Sequence, residues 1–464
     1  MPVQIRNIVQ LKGGDTEVRG LRKIQKDVLL LLASGRRFTG PSLLAAVGFL
    51  VPAMANLVAN VVLARGLAPA SYGIYVLAIS LTGSVSLGEL GISAALIRYI
   101  AADLSEDNWK SVAQLFTTAL SLVGMLGTIA FGACYVLAPE LGRIYATGSA
   151  SGDETVAFRI AGANVALFWM TMVCVAYFKG RGRFDRSSAL LILIAVLQQG
   201  ATVIACLYSR GRLNVTLAAS LAAVSMACAC AVVVCYRDIA SRSIGPSAFR
   251  IRRRQASRLL KFGSITAANS VAVVLLVQVQ RYVIGASLGP AAAGVYHLAY
   301  LPVVAVTGLL NALSEVLYPW ASALKHRMAV ANICATATGI NIVIYLPIAI
   351  AIAILAPRLV TGVVNGPNAR ILLSTLRVLL IAYAFLATTP PLFHILNGLG
   401  MPWLNSVFTW GNATLNILII VLYAKPKGDV VGYAVALLSS CAVSTIVYWA
   451  WTWLVLFRKK NNEV

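Results

Sequence analysis

The chain has 464 residues, of which 59% are hydrophobic and only 11% charged, and its formal net charge is +23. A soluble domain carries roughly a quarter charged residues, so a single oversized soluble core is excluded and repeated membrane crossing is implied. The positive charge sits in short loops between apolar runs, which is how charge sets membrane orientation; no nucleic-acid partner is expected.

Residues 1–39 are polar and basic. Arg19, Arg22, Lys23 and Lys26 are spaced against Leu21, Ile24, Val28 and Leu31 as in an amphipathic helix lying on a membrane surface. Arg36 and Arg37 stand where a signal peptide would have its small-residue cleavage site, so no cleaved signal is read. Twelve apolar spans follow, near 43–65, 71–97, 112–137, 157–178, 187–208, 214–235, 260–285, 292–320, 330–355, 371–396, 403–423 and 430–456. They predict an all-α polytopic membrane protein: a segment at 1–39, a six-helix bundle at 40–236, a basic linker at 237–259, a second bundle at 260–457 and a tail at 458–464. The longest loop on the outer side is expected at about 138–156, too short for a folded domain. The linker, with Arg250, Arg252, Arg253, Arg254 and Arg258, reads as orientation-setting charge or as a dock for anionic lipid headgroups.

The two bundles follow from an internal repeat. At an offset of 221 residues Val62, Leu67, Pro69, Ala70, Gly73, Tyr75, Leu77 and Ala78 meet identical residues, Val283 to Ala299. A second match, at an offset of 218, pairs Lys179-Gly180-Arg181-Gly182 with Asn397-Gly398-Leu399-Gly400. Six spans separate equivalent points, so both halves point the same way and their pseudo-axis runs along the membrane normal. With both termini in the cytoplasm, 27 of the 38 Lys and Arg fall on the cytoplasmic side. Eight cysteines lie in or beside the spans with no Cys-x-x-Cys pair, which suits small hydrophobes in helix packing. No metal cluster, nucleophile or phosphate loop is present, and no cofactor is expected.

The stretch from Leu63-Ala64-Arg65-Gly66-Leu67-Ala68-Pro69 to Tyr75 resembles the first hairpin of Wzx-type polysaccharide flippases. These belong to the superfamily (MOP) that also holds MATE drug exporters and the lipid II flippase MurJ. Leu87-Gly88-Glu89-Leu90-Gly91 is similar to the end of their second helix, Leu260-Lys261-Phe262-Gly263 to the start of their seventh, and Val316-Leu317-Tyr318-Pro319 to the end of their eighth. The resemblance implies a central cavity between the bundles and a substrate that is an undecaprenyl-diphosphate-linked oligosaccharide, moved across a bacterial inner membrane to supply a polysaccharide polymerase and chain-length regulator. Many relatives carry an acid just before the position of Arg281; here it is Gln280.

A diphosphate bearing sugars cannot cross hydrocarbon unaided, because its charges and hydroxyls would lose their water. It needs a polar path with a cation where the diphosphate passes, and an arginine fork matches phosphate oxygens. Arg281 on span seven is the counterpart of Asn60 on span one; Asn56 and Asn60 share a helix face, and Gln278 and Gln280 flank the arginine. These residues either line the cavity or, for Arg281, snorkel to the headgroups. Arg377, on a span broken further on by Pro390 and Pro391, is a second cation within the apolar zone, or lies near its outer edge. Arg65 and Arg98, at helix ends, read as anchors. Glu89 and Glu315 are the carboxylates set within apolar runs and are candidates for proton coupling, while His297 and His394 read as structural. The alternatives are a cation-coupled exporter of small organic cations, which should show several acids in its cavity, and a membrane glycosyltransferase or polymerase, which needs a catalytic set on a sizeable loop. Neither pattern is present, and no enzymatic role is expected.

Overall fold

The computed structural model describes residues 41–83, 91–146, 152–242, 245, 249–315, 317, 321, 327–364 and 366–458. The N-terminal basic segment and Glu89 lie outside the described residues. All regular elements among those described are helical.

The repeated hairpin forms as its residues dictate. Helix α1 (Pro41–Gly66) turns at Leu67 and Ala68 into α2 (Pro69–Gly83), whose first residue is a proline. Proline suits that position because its ring presets the helical φ and the missing N–H would have no partner there. In the second copy α9 (Val279–Leu288) turns at Gly289, at φ +88°, into α10 (Pro290–Ser314), again with proline at the start.

The other elements are α3 (Ile92–Ser105), α4 (Trp109–Ile144), α5 (Asp153–Gly180), α6 (Phe184–Tyr208), α7 (Leu213–Ala240) and α8 (Arg253–Val277, followed by α9). After α10 come α11 (Arg327–Thr361), α12 (Pro367–Leu386), α13 (Thr389–Gly398), α14 (Pro402–Ile419) and α15 (Val430–Arg458). A π-helical stretch, Ile420–Ala424, and a last turn, Lys425–Lys427, extend α14. Among the described residues, eleven helices are long and apolar enough to cross a membrane, and Pro69–Thr82 is a shorter apolar one. The second expected span, 71–97, passes through residues 84–90, which lie outside the described residues; α2 and α3 stand on either side, and Gly91 before α3 is at φ +67°. Helix α4 runs seven residues past the expected end at 137, because buried Ala138 and Gly142 keep it against α5, where a Cβ on Gly142 would meet Thr155 at 2.7 Å. The loop expected at 138–156 is reduced to the residues between Ile144 and Asp153, where α5 begins.

The second match is a pair of identical turns. Gly182 N–H donates to Lys179 O and Arg183 N–H to Phe178 O; at the same offset Gly400 N–H donates to Asn397 O and Met401 N–H to Leu396 O. Both glycines have positive φ, +68° and +74°, the left-handed conformation that ends a helix most cheaply when no Cβ is present.

Pro390 and Pro391 break span ten as their chemistry requires. Their missing N–H groups would leave Leu386 O and Ala387 O free. The Thr389 hydroxyl donates to Leu386 O at 2.8 Å, and Asn341 Nδ2 of α11 donates to Ala387 O at 3.2 Å. Thus the kink between α12 and α13 is also a tie to the neighbouring helix.

The two halves meet where the repeat meets itself. Gly73 of α2 lies against Pro290, and a Cβ there would be 1.9 Å from Pro290 O. Its repeat mate Gly294 faces Gly73 Cα at 3.4 Å from an added Cβ. Close by, Tyr282 Oη donates to Leu77 O at 3.3 Å and Tyr145 Oη to Tyr282 O at 3.2 Å. The halves also touch along α1 and α10, where an added Cβ on Gly308 would meet the Phe49 ring at 2.1 Å. The start of α8 packs on the first half: Leu259 and Phe262 join the apolar cluster of α3 to α7, and Gln255 Nε2 donates to Ser111 Oγ at 3.1 Å. Outward faces carry Ile129, Val136, Val343, Ile354, Ile446 and Leu454, all exposed, an apolar surface that a bilayer covers. Trp403 and Trp451 stack edge to face, 5.6 Å apart, at the end of the molecule opposite the hairpins.

Away from the apolar faces, Asp238 of α7 accepts from Arg186 at 2.8 Å and from Tyr177 Oη at 2.7 Å, and pairs with the buried Arg181. Removing the carboxylate leaves Arg181 buried without a counter-charge, which costs about 3 kcal/mol. Asp238→Ala is therefore expected to lower the melting temperature of the purified protein by several degrees, and Asp238→Asn by less; an unchanged melting curve in Asp238→Ala would refute the pairing.

Candidate functional site

Arg281 is the charged side chain buried where the halves meet. It is 6% exposed, and its Nη1 donates to Gln278 Oε1 at 2.9 Å and to Ser80 Oγ at 3.2 Å. Its guanidinium lies over the Tyr300 ring, 4.6 Å from the centroid. Ser80 belongs to α2 of the first half, so this arginine bridges the bundles. Gln278 is the single residue separating α8 from α9, and its carbonyl accepts from Arg281 N–H at 3.1 Å. The helix break and the cation thus support each other: the amide that orients the arginine sits at the interruption. Among the described residues no carboxylate pairs with Arg281, and its Nε has no hydrogen-bond acceptor. A desolvated cation held by neutral dipoles and a ring face is unbalanced, and an anion is its natural complement.

A cavity of about 390 Å³ lies within the first half, among α1, α2, α5, α6 and α7. Asn56, Tyr75, Asn164, Phe168, Gln198 and Gln199 line it, and none of its described lining residues is charged. Asn60 sits behind it: its Nδ2 donates to Asn56 Oδ1 at 2.9 Å, and its Oδ1 accepts from Tyr72 Oη at 3.0 Å. Asn56 lies ten residues before the hairpin, about 15 Å along α1, which is mid-membrane depth.

The second half is built on the same plan with one more amide bonded in its interior. Gln198 Nε2 donates to Ser220 Oγ at 3.2 Å between α6 and α7, and its repeat mate Asn416 donates to Ser440 Oγ at 3.2 Å between α14 and α15. In the second half Gln280 Nε2 also donates to Asn416 Oδ1 at 3.1 Å, and Tyr296 Oη bonds Gln280 Oε1. The counterpart of Gln280 at the offset of 221 is Ala59, too short to reach Gln198. The amide that plugs one half is missing from the other.

Of the residues singled out from sequence, Arg281 and Gln278 come together at the interface, Asn56 and Asn60 at the first-half cavity, and Gln280 in the second-half interior. Asn60 and Arg281 bond different partners rather than each other. Arg377 is exposed on α12, ten residues after its first residue. Glu315 is exposed and directly follows the last residue of α10, close to where His394 Nε2 meets Asn311 Oδ1 at 3.3 Å. His297 is buried on α10. Sequence reasoning missed Ser80, Tyr300, Asn164, Gln198 and Gln199. For Gln198 a signal existed: carried about four turns past Gly182 and Gly400, the offset of 218 pairs it with Asn416. For Ser80 and Tyr300 none did, since a serine and a tyrosine in apolar helices are ordinary.

The comparisons with known proteins agree with this architecture. A protein of Shigella flexneri named "Putative O-antigen transporter" is 24% identical over 358 residues, covering 76% of this chain and 83% of its own. The inward-facing form of a multidrug resistance MATE family transporter of the MOP superfamily superposes with a TM-score of 0.74 at 17% identity, over 90% of this chain and 100% of that one. The lipid II flippase MurJ, in an inward closed conformation, gives 0.70 at 12% identity, over 88% and 87%. Both structures share the two-bundle fold with this chain. Residues 42–325, more than half of the chain and including the hairpin, its second copy and Arg281, match the polysaccharide biosynthesis protein family, and the chain belongs to that family.

Proposed function

We propose that this protein is a flippase that moves an undecaprenyl-diphosphate-linked oligosaccharide across a bacterial inner membrane by alternating access. The observation that carries the reading is Arg281, a buried cation between the halves with no carboxylate partner among the described residues. A passing diphosphate supplies the missing charge, while the lipid tail stays in the bilayer between the bundles. Family membership and the O-antigen relative support a polysaccharide precursor as cargo. The hairpin end is closed by the α2–α10 crossing; with the termini cytoplasmic, as the Lys/Arg bias favours, that is the periplasmic side. The reading assigns no covalent chemistry to the chain; a polymerase and a chain-length regulator act on what it delivers. A cation exporter is disfavoured by the uncharged lining of the first-half cavity.

Purified protein in proteoliposomes is expected to speed the transfer of a labelled polyprenyl-diphosphate oligosaccharide between leaflets at least tenfold over protein-free vesicles. No acceleration, together with proton-driven uptake of a cationic dye, would overturn the reading.

A further inference from the structure

We propose that the first-half cavity is a binding subsite for a neutral sugar ring. The choice of ligand rests on the transport reading above; the chemistry of the cavity stands apart from it. Asn164 is 4% exposed, lines the cavity, and its Oδ1 accepts no hydrogen bond among the described residues. Gln199 Oε1 is likewise buried and unpartnered, while its Nε2 reaches Asn56 Oδ1 at 3.4 Å. Buried amide oxygens left without donors are costly, and the space beside them is large enough for a ligand, since ligand pockets begin at about 300 Å³.

The lining selects among ligands. Amides offer donors and acceptors in equal measure and no charge, which suits hydroxyl groups, each able to give one hydrogen bond and to accept as well. Tyr75 and Phe168 add aromatic surface for the C–H face of a pyranose. An apolar tail would leave the amides unsatisfied, and an anion would find no cation in the described lining. A hard cation is the remaining competitor, but it is best held by carboxylates, and the described lining has none.

The second half carries different residues at the matching positions. Where Gln280 caps Asn416 there, Ala59 leaves Gln198 uncapped here; where Asn164 stands here, its counterpart at the offset of 218 is Ala382. Two substitutions, one in each direction, separate the halves at these positions. Ser80, which anchors Arg281, lies on α2 but on a different face from the lining residues Tyr75, Ile79 and Thr82.

The test uses the full chain in nanodiscs and saturation-transfer NMR with methyl glucoside, methyl galactoside and N-acetylglucosamine as probes. At least one should receive saturation from the wild type. Ala59→Gln, which installs the plug of the second half, and Asn164→Ala, which copies Ala382, should each cut that signal at least tenfold with an unchanged melting curve. If Ala59→Gln does not fold, Asn164→Ala alone decides. Equal signals in wild type and Asn164→Ala, no signal from any probe, or a sodium-dependent rise in melting temperature that Asn164→Ala abolishes while no sugar binds, each overturns the subsite. The proteoliposome assay separates it from the transport reading. If wild type and both variants all flip the lipid-linked oligosaccharide equally, the subsite fails and transport stands. If the wild type moves no lipid-linked oligosaccharide yet the sugar signal depends on Asn164, transport fails and the subsite stands.

Discussion

Replacing Gly73 by leucine is expected to abolish transport while leaving each bundle folded. A Cβ at that position would lie 1.9 Å from Pro290 O and 2.1 Å from the carbonyl carbon. Ordinary contact is near 3.4 Å, and the obstacle is backbone, which cannot rotate aside. Overpacking costs about 1–3 kcal/mol even where side chains yield, and about 3 kcal/mol shifts a two-state equilibrium by roughly 150-fold. The cost falls only on the arrangement in which α2 and α10 cross at this point, so the hairpin end should spring open. In a cysteine-free background, a cysteine at Ser80, buried here, should become reactive toward an impermeant maleimide applied from the hairpin side only when Gly73→Leu is also present. Gly294→Ala should act more mildly, since its added Cβ meets the movable Tyr72 ring at 2.9 Å. Wild-type transport and an unreactive Cys at position 80 in Gly73→Leu would show that the crossing is no gate.

The second large effect concerns Arg281. Arg281→Ala should cut the rate of leaflet transfer by about two powers of ten, the worth of a lost charge-assisted pair with phosphate of about 3 kcal/mol. Thermal stability should stay level or rise, because no carboxylate among the described residues is orphaned by the change and a buried, uncompensated cation is removed. Arg281→Lys should recover part of the rate: it restores the charge without the fork. A structural arginine would behave in the opposite way, with a lowered melting temperature and a transport rate that follows the amount of folded protein.

Much of this architecture is legible from residue order alone. Identical residues from Val62 to Ala78 and from Val283 to Ala299 imply one hairpin used twice, and Gly182 and Gly400 do adopt the same left-handed turn. Pro390 and Pro391 mark the break in span ten where it occurs. Legibility fails where tertiary packing decides. The extra turns of α4 rest on Ala138 and Gly142 meeting α5, a contact between distant parts of the chain. The candidate site divides in the same way. Arg281 stands out because a charge in an apolar run is conspicuous. Its partners Ser80 and Tyr300 are chosen by the crossing of the halves, and the contrast between Ala59 and Gln280 is visible only once the halves are overlaid.

The central claim, that the chain carries lipid-linked oligosaccharide outward, is tested most directly by deleting its gene and assaying the lipid-linked repeat units of the membrane by leaflet. The account predicts that these units accumulate facing the cytoplasm, that the wild-type chain restores their outward transfer, and that Arg281→Ala expressed at the same level does not. An unchanged leaflet distribution in the deletion strain would contradict it.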